Sequence, residues 1–212
     1  MILKSLKILS QNVHKNRLLT DTLLENKKDF NILFIQESPW SIICSILSSI
    51  SKEEEEIVDA PNHLLWTMFT RTSNTKNKHL RVFTYINIRL IRLCFLLRRD
   101  IFNHRNINLL SFFNHSFIIN IYSDDCQSAL KYLKDTEMNL NNVLIITGDF
   151  NIRDNNWDPL YLHHSIHADT LREIADSFTL ELSMSVDQAP ICYTDNSQDS
   201  NLVLYLVFSI SM

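Results

Sequence analysis

The chain has 212 residues, enough for one domain with its own core, and is 45% hydrophobic, 10% aromatic and 21% charged, a folded rather than a disordered composition. It carries one glycine, Gly148, which excludes a P-loop, a GxGxxG dinucleotide fingerprint and glycine-rich linkers. The net charge of −4 is unevenly spread: Arg71 to Arg105 holds nine Lys/Arg against Asp100 alone, so that stretch is +8 and the remainder −12.

In chain order, Leu6 to Gln11 reads as a strand and His14 to Asn26 as a helix with Leu19, Leu23 and Leu24 as its apolar stripe. Ile32 to Gln36 is the next strand, and the acidic run Glu53 to Glu56 reads as a solvated loop. Leu64 to Phe69, Arg81 to Ile88, Ile107 to Phe113 and Phe117 to Tyr122 follow as strands by length and by β-branched or aromatic content. Ser123 or Asp124 is placed to cap a helix with Ala129, Leu130 and Leu133 on one face, and Val143 to Thr147 is a strand. Ser165 is placed to cap a helix whose apolar positions Leu171, Ile174, Ala175 and Phe178 recur at helical spacing. Leu180 to Ser183, Ile191 to Thr194 and Leu202 to Phe208 complete the strands. Many strands, few helices and runs apolar on both faces, such as Val143 to Ile146, predict an α/β (α+β) domain of packed sheets covered by helices.

No charge-free apolar stretch reaches the roughly 20 residues of a membrane span, and the N-terminus is too short in apolar residues for a secretory signal, so an intracellular, cytosolic or nuclear, monomer is expected. The cysteines, Cys44, Cys94, Cys126 and Cys192, have no ligand spacing and read as reduced, small apolar residues, not as a zinc site. With one glycine and 21 asparagines, turns that need positive φ are expected to lean on asparagine.

Four of the predicted strands end on polar residues. The first runs into Asn12, the second into Glu37, Ile118 to Ile121 into Tyr122, and Val143 to Thr147 into Gly148-Asp149-Phe150-Asn151. If these ends share one edge, the cluster offers a carboxylate, amides and a phenol, which suits a hard cation such as Mg²⁺ better than Zn²⁺. Singly, each is an ordinary turn former or surface acid. The glycine before Asp149 serves either positive φ or close backbone approach.

Ser10-Gln11-Asn12-Val13, Ile35 to Trp40, Ile119-Asn120-Ile121-Tyr122 and Thr147 to Asn151 together resemble the successive motifs of the endonuclease/exonuclease/phosphatase superfamily, in the form found in LINE-type (non-LTR) retrotransposon endonuclease domains. The resemblance spans nearly the whole chain in order, and implies a four-layer sandwich, two mixed β-sheets face to face with helices outside, as a single domain over residues 1–212. It implies a Mg²⁺- (or Mn²⁺-) dependent phosphodiester hydrolase acting on DNA, nuclear if functional. By motif position Glu37 would ligate the cation, and Asn12 would support the metal or the phosphate. Tyr122 would hydrogen-bond the scissile phosphate, Asp149 would orient or deprotonate the attacking water, and Asn151 would hold the phosphate oxygen that gains charge. DNA would meet the basic stretch Arg71 to Arg105.

The resemblance breaks near the end. The family has an Asp-bearing strand and then a Ser-Asp-His motif, whereas this sequence has Tyr205 at the Asp position and no Ser-Asp-His. None of the eight histidines is an obvious replacement, His163, His164 and His167 included. The domain therefore reads as degenerate, truncated at its C-terminus with its last strand or strands missing, and weakly active or inactive. The alternatives are a catalytically dead remnant that binds DNA or a divalent cation, and a phosphatase of the same superfamily.

Overall fold

Among the described residues, local chemistry accounts for three α-helices. The computed structural model describes residues 6–39, 44–47, 55–58, 63–69, 81–93, 96–97, 104–111, 116–136, 140, 142–155 and 161–181. Helix α1 (Arg17–Asn26) is capped by Asn16, whose side chain accepts from the Leu19 amide, a contact of a type worth about 1 kcal/mol. Helix α2 (Ser128–Asp135) begins after Gln127, which is held in a left-handed conformation at φ 54°, and not at Ser123 or Asp124. Asp124 still serves the first turn from four residues upstream, accepting from the backbone amide and the hydroxyl of Ser128. Helix α3 (Ile166–Ser177) is capped by Ser165, as its sequence predicts.

The strands are β1 (Ile8–Asn12), β2 (Ile32–Gln36), β3 (Cys44–Leu47), β4 (Glu55–Val58), β5 (Trp66–Phe69), β6 (Val82–Asn87), β7 (Leu96–Leu97), β8 (Ile107–Ser111), β9 (Phe117–Tyr122) and β10 (Val143–Asp149), with a 3-10 turn at Ile88–Leu93. One mixed sheet has the order β1-β2-β6-β5 and the other β10-β9-β8-β7, while β3 and β4 form a separate antiparallel pair. The acidic run is thus corrected: Glu55 and Glu56 lie in β4, paired with Leu47 and Ile46. Glu53–Glu56 carries too little apolar alternation to announce a strand, and the pairing with Cys44–Leu47 supplies what the local pattern does not. The expected strands at Ile191 to Thr194 and Leu202 to Phe208 lie outside the described residues. Leu180 and Glu181, the described part of Leu180 to Ser183, are not strand.

Three apolar clusters lie between four layers. Leu23 and Leu24 of α1 pack on Leu33, Ile35, Phe83 and Tyr85, the outer face of the first sheet. The Trp66 indole N–H donates to the Leu24 carbonyl and fixes the helix there. Ala129, Leu130 and Leu133 of α2, with Ala168, Leu171 and Ile174 of α3, cover Ile107, Leu109, Ile119 and Ile121 on the outer face of the second. Between the sheets lie Ile32, Phe34, Ile86, Leu110 and Ile118. The alternation of Leu33 and Ile35 against Ile32 and Phe34 explains why β2 is apolar from Ile32 to Ile35: both of its faces are buried. The architecture is the four-layer α/β/β/α sandwich that the resemblance implies.

The space between the sheets changes character along the strands. On β1 the inward positions run Ile8, Ser10, Asn12, from the apolar cluster to buried polar residues. Buried Gln36 donates through Nε2 to Ser10 Oγ at 3.0 Å and to Asn120 Oδ1 at 2.6 Å, bridging β1, β2 and β9. Asn120 in turn donates to the Phe83 carbonyl. The inner layer is therefore apolar at one end and hydrogen-bonded at the other, where the motif residues lie.

Candidate active site at the joined strand ends

β1 runs parallel to β2, and β9 runs parallel to β10, so all four finish with their carboxyl ends on the same sides of their sheets. In register, Asn12 stands opposite Gln36 and Asp149 opposite Tyr122. The two sheets then meet through side chains. Asn12 Nδ2 donates to Asp149 Oδ2 at 2.5 Å, and the Tyr122 hydroxyl donates to Glu37 Oε1 at 2.6 Å. The structure brings all five sequence-predicted residues, Asn12, Glu37, Tyr122, Asp149 and Asn151, into one linked cluster.

Gly148 is what permits the second sheet to deliver its carboxylate. Its φ is +145°, and a Cβ built there would lie 1.8 Å from the Ile121 carbonyl oxygen. Both reasons for a glycine apply at once, unusual backbone and close approach. Beyond it, the Asp149 carbonyl accepts from the Ser123 amide, and Oδ1 accepts from the Asn151 amide at 3.0 Å. Asn151 has a left-handed backbone, and its side-chain amide donates to the Ser123 carbonyl. Ser123 Oγ donates to Gln127 Oε1, and Gln127 Nε2 reaches the Asn151 carbonyl, so the corner after β10 is tied to the start of α2.

On the other sheet, Val13 donates to the Gln36 carbonyl and Lys15 to that of Glu37, wrapping the turn after β1 around the end of β2. His14, Lys15 and Glu37 all have positive φ, a conformation costing about 1–2 kcal/mol per residue for ordinary side chains. Among the described residues asparagine accounts for only Asn142 and Asn151 of seven such non-glycine positions. The expectation that asparagine would carry these turns is therefore corrected. A hydrogen bond between segments, from the Lys15 amide to the Glu37 carbonyl, ties the turn after β1 to the end of β2, and Thr179 donates to the Asp176 carbonyl at the end of α3.

Glu37 is the more accessible carboxylate of the cluster, its side chain 16% accessible, whereas Asp149 is fully buried. Oε1 faces Tyr122 and Arg81 Nη1 (3.4 Å), and Oε2 faces His14 Nδ1 at 3.3 Å. In the sequence Arg81 is only one member of the basic stretch Arg71 to Arg105, and His14 does not stand out as a site residue. Arg81 arrives because β6 pairs antiparallel with β2 with Val82 opposite Gln36, which places the residue before Val82 beside Glu37. His14 arrives through the tight turn, so one of the eight histidines does lie at the cluster.

Burial pushes the Asp149 carboxyl up to about 6, against hydrogen bonds from Asn12 and Asn151 that pull it down and the Glu37 charge that adds to the rise. Burial and the bond to Glu37 also raise the Tyr122 hydroxyl, so it stays a donor throughout the physiological range. The donor set is hard: two carboxylates, an amide oxygen and a phenol, with no thiolate. Such a set fits Mg²⁺, which binds through one or two carboxylates and retains waters. Among the described residues no group of three or more His, Cys, Asp or Glu could hold a metal ion by itself, so water or substrate oxygens would complete the shell.

The remaining features lie elsewhere. His164 sits between Asp154 Oδ2 and Asp169 Oδ2, 2.8 Å from each, at the start of α3. Cys126 is a free, exposed thiol, and the side chains of the other three cysteines lie outside the described residues. So does Tyr205, along with much of the stretch Arg71 to Arg105. Among the described residues no helix is long and apolar enough to cross a membrane.

No protein-family model matches the chain, and no curated protein matches it by sequence. Among solved structures, the endonuclease domain of TRAS1, a telomere-specific non-LTR retrotransposon, superposes with a TM-score of 0.59 at 15% identity, over 86% of this chain and 76% of that one. The likeness is one of fold: the chain has the sandwich of a retrotransposon endonuclease domain.

Proposed function

We propose that the chain is a retroelement-derived endonuclease domain, a Mg²⁺- or Mn²⁺-dependent phosphodiester hydrolase whose substrate is DNA. The observation that carries this reading is the convergence of Asn12, Glu37, Tyr122 and Asp149 from the ends of four strands on two sheets, joined by the Asn12–Asp149 and Tyr122–Glu37 hydrogen bonds. The fold shared with the TRAS1 endonuclease domain supports it.

Glu37 and Asn12 would hold the cation, which when bound neutralises charge on the phosphodiester. The chain's own groups do the rest. Asp149 is held by Asn12 and Asn151 with one lone pair per oxygen in use, so each oxygen retains one to accept from a water. An acid with a pKa of about 6 is ionised at neutral pH yet basic enough to take a proton from that water. Tyr122, protonated throughout, donates to a phosphate oxygen. Asn151 steadies Asp149 through its backbone amide, while its side-chain amide donates to the Ser123 carbonyl.

Tyr205 stands where the resemblance calls for an Asp, and a phenol does not carry an Asp's charge at neutral pH, so slow turnover is the expectation. The test is incubation with supercoiled plasmid and Mg²⁺ or Mn²⁺. Slow nicking that disappears in Asp149→Ala is the expected result, and no nicking at high protein concentration with either cation rules the activity out. The second reading is binding of DNA or a cation without turnover; the engagement of both Glu37 oxygens with Arg81, Tyr122 and His14 favours its DNA form, because those contacts compete with a cation at Glu37. Its signature is salt-dependent DNA binding by a protein that does not nick.

A further inference from the structure

Arg81 is the cationic side chain most closely built into the cluster. Its backbone is fixed at the start of β6, a strand buried along its whole length. Its guanidinium lies over the Tyr122 ring, 5.0 Å from the centroid. Nη1 donates to the Tyr122 hydroxyl at 3.1 Å and to Glu37 Oε1 at a longer 3.4 Å. The side chain remains 30% accessible.

An arginine has five N–H donors in a planar fork. Here only those of Nη1 are used, and the Nε and Nη2 groups have no partner among the described residues. The hydrogen bonds to Tyr122 and Glu37 use the Nη1 corner and leave the Nε–Nη2 edge free. That edge matches two oxygens of a phosphodiester, a geometry a lysine cannot reproduce. Its bond to Glu37 is long, and Glu37 already has the shorter Tyr122 bond, so Arg81 gains by meeting a second anion.

We propose that Arg81 is a phosphate-gripping residue of this site, taking the non-bridging oxygens of a DNA phosphodiester through its free Nε and Nη2 groups while Tyr122 holds its plane. The proposal rests on the phosphodiester reading above and adds to it a residue that the motifs do not contain. It also gives the site a positive group that requires no cation. Phosphodiester binding therefore persists in EDTA, where cleavage cannot occur.

The experiment is fluorescence anisotropy of a short labelled DNA duplex with the full chain in EDTA, at several salt concentrations, for wild type, Arg81→Gln and Arg81→Lys. Thermal melts establish that each variant is folded. Arg81→Gln is expected to weaken binding about ten-fold or more and to lower the salt slope by about one released counterion. Arg81→Lys restores the salt slope but not the full affinity. In ¹⁵N-arginine-labelled protein the Arg81 Nε–H resonance shifts on addition of the same duplex. Equal affinity and equal slope in wild type and Arg81→Gln, with a stationary Arg81 resonance, would overturn the proposal and leave the hydrolase reading standing. Absence of binding by wild type at low salt, in EDTA and with Mg²⁺, would remove both.

Discussion

Asn12 Nδ2 donates to Asp149 Oδ2, joining residues 137 positions apart that close the first strand of one sheet and the last strand of the other. The contact is a lock between sheets as well as a site interaction. It fixes the Asp149 carboxylate while Asn12 Oδ1 accepts from the His14 amide, so the turn that brings His14 to Glu37 is set by the same side chain.

The buried carboxylate makes folding sensitive to pH. Asp149 has its folded pKa raised to about 6 from 3.8, chiefly by burial, so its protonated form favours the fold. The stabilisation is complete below about pH 4 and is lost as pH rises through about 6. Over that interval it amounts to about 3 kcal/mol. In denaturant titrations in EDTA, the stability of wild type relative to Asp149→Asn is expected to fall by on the order of 2–3 kcal/mol between pH 4 and pH 7. Parallel pH profiles for the two proteins would contradict the burial.

Gly148→Ala is expected to be severely destabilising. An added methyl would lie 1.8 Å from the Ile121 carbonyl oxygen, a backbone atom that cannot rotate away, at a φ of +145° that alanine rarely adopts. Overpacking alone costs about 1–3 kcal/mol, and the backbone strain adds about as much. Chemical denaturation should show a loss of at least about 3 kcal/mol, or no folded protein. A loss below about 1 kcal/mol would mean that β9 and β10 are not this close.

His164 has both ring nitrogens 2.8 Å from carboxylate oxygens, of Asp154 and of Asp169, which requires both to carry protons. The bond to Asp169 leads in raising its pKa above the ordinary imidazole value, and the charges of the two acids add to the effect while Arg172 opposes it. A raised imidazole contributes stability below its unfolded pKa and loses it as pH rises through the folded one. NMR titration should place the His164 midpoint above that of a histidine in a free peptide, and Asp169→Asn should move it down. The Ser165 amide, bonded to Asp154, should exchange faster as pH rises through that midpoint than the intrinsic rate explains. A His164 midpoint at the free-peptide value would contradict the bridge.

The parts of this molecule legible in the sequence are those encoded locally. Ser165 and the spacing of Leu171, Ile174 and Ala175 specify α3, and the doubly apolar β2 specifies a strand buried on both faces. The four polar strand ends are also local, and it is their combination, with the motifs they resemble, that singles out Asn12, Glu37, Tyr122, Asp149 and Asn151. What is not legible depends on register and on neighbours. Arg81 joins Glu37 through the antiparallel pairing of β6 with β2, and nothing within Arg81 to Ile88 announces that pairing. His14 reaches the site through two successive left-handed residues. Gln127 starts α2 in a conformation that glutamine does not favour, held by Ser123 and Asn151, so the capping rule points to the wrong residue. β4 escapes because Glu55–Val58 is stabilised by β3 and not by its own pattern.

Substoichiometric Mn²⁺ with ¹⁵N-labelled protein tests whether the joined strand ends form a cation-binding phosphodiester site. Paramagnetic broadening is expected first at Asn12, Glu37, Tyr122 and Asp149, and is expected to vanish from them in Glu37→Gln. Broadening that begins elsewhere on the acidic surface, or that persists at these four residues in Glu37→Gln, would contradict the account.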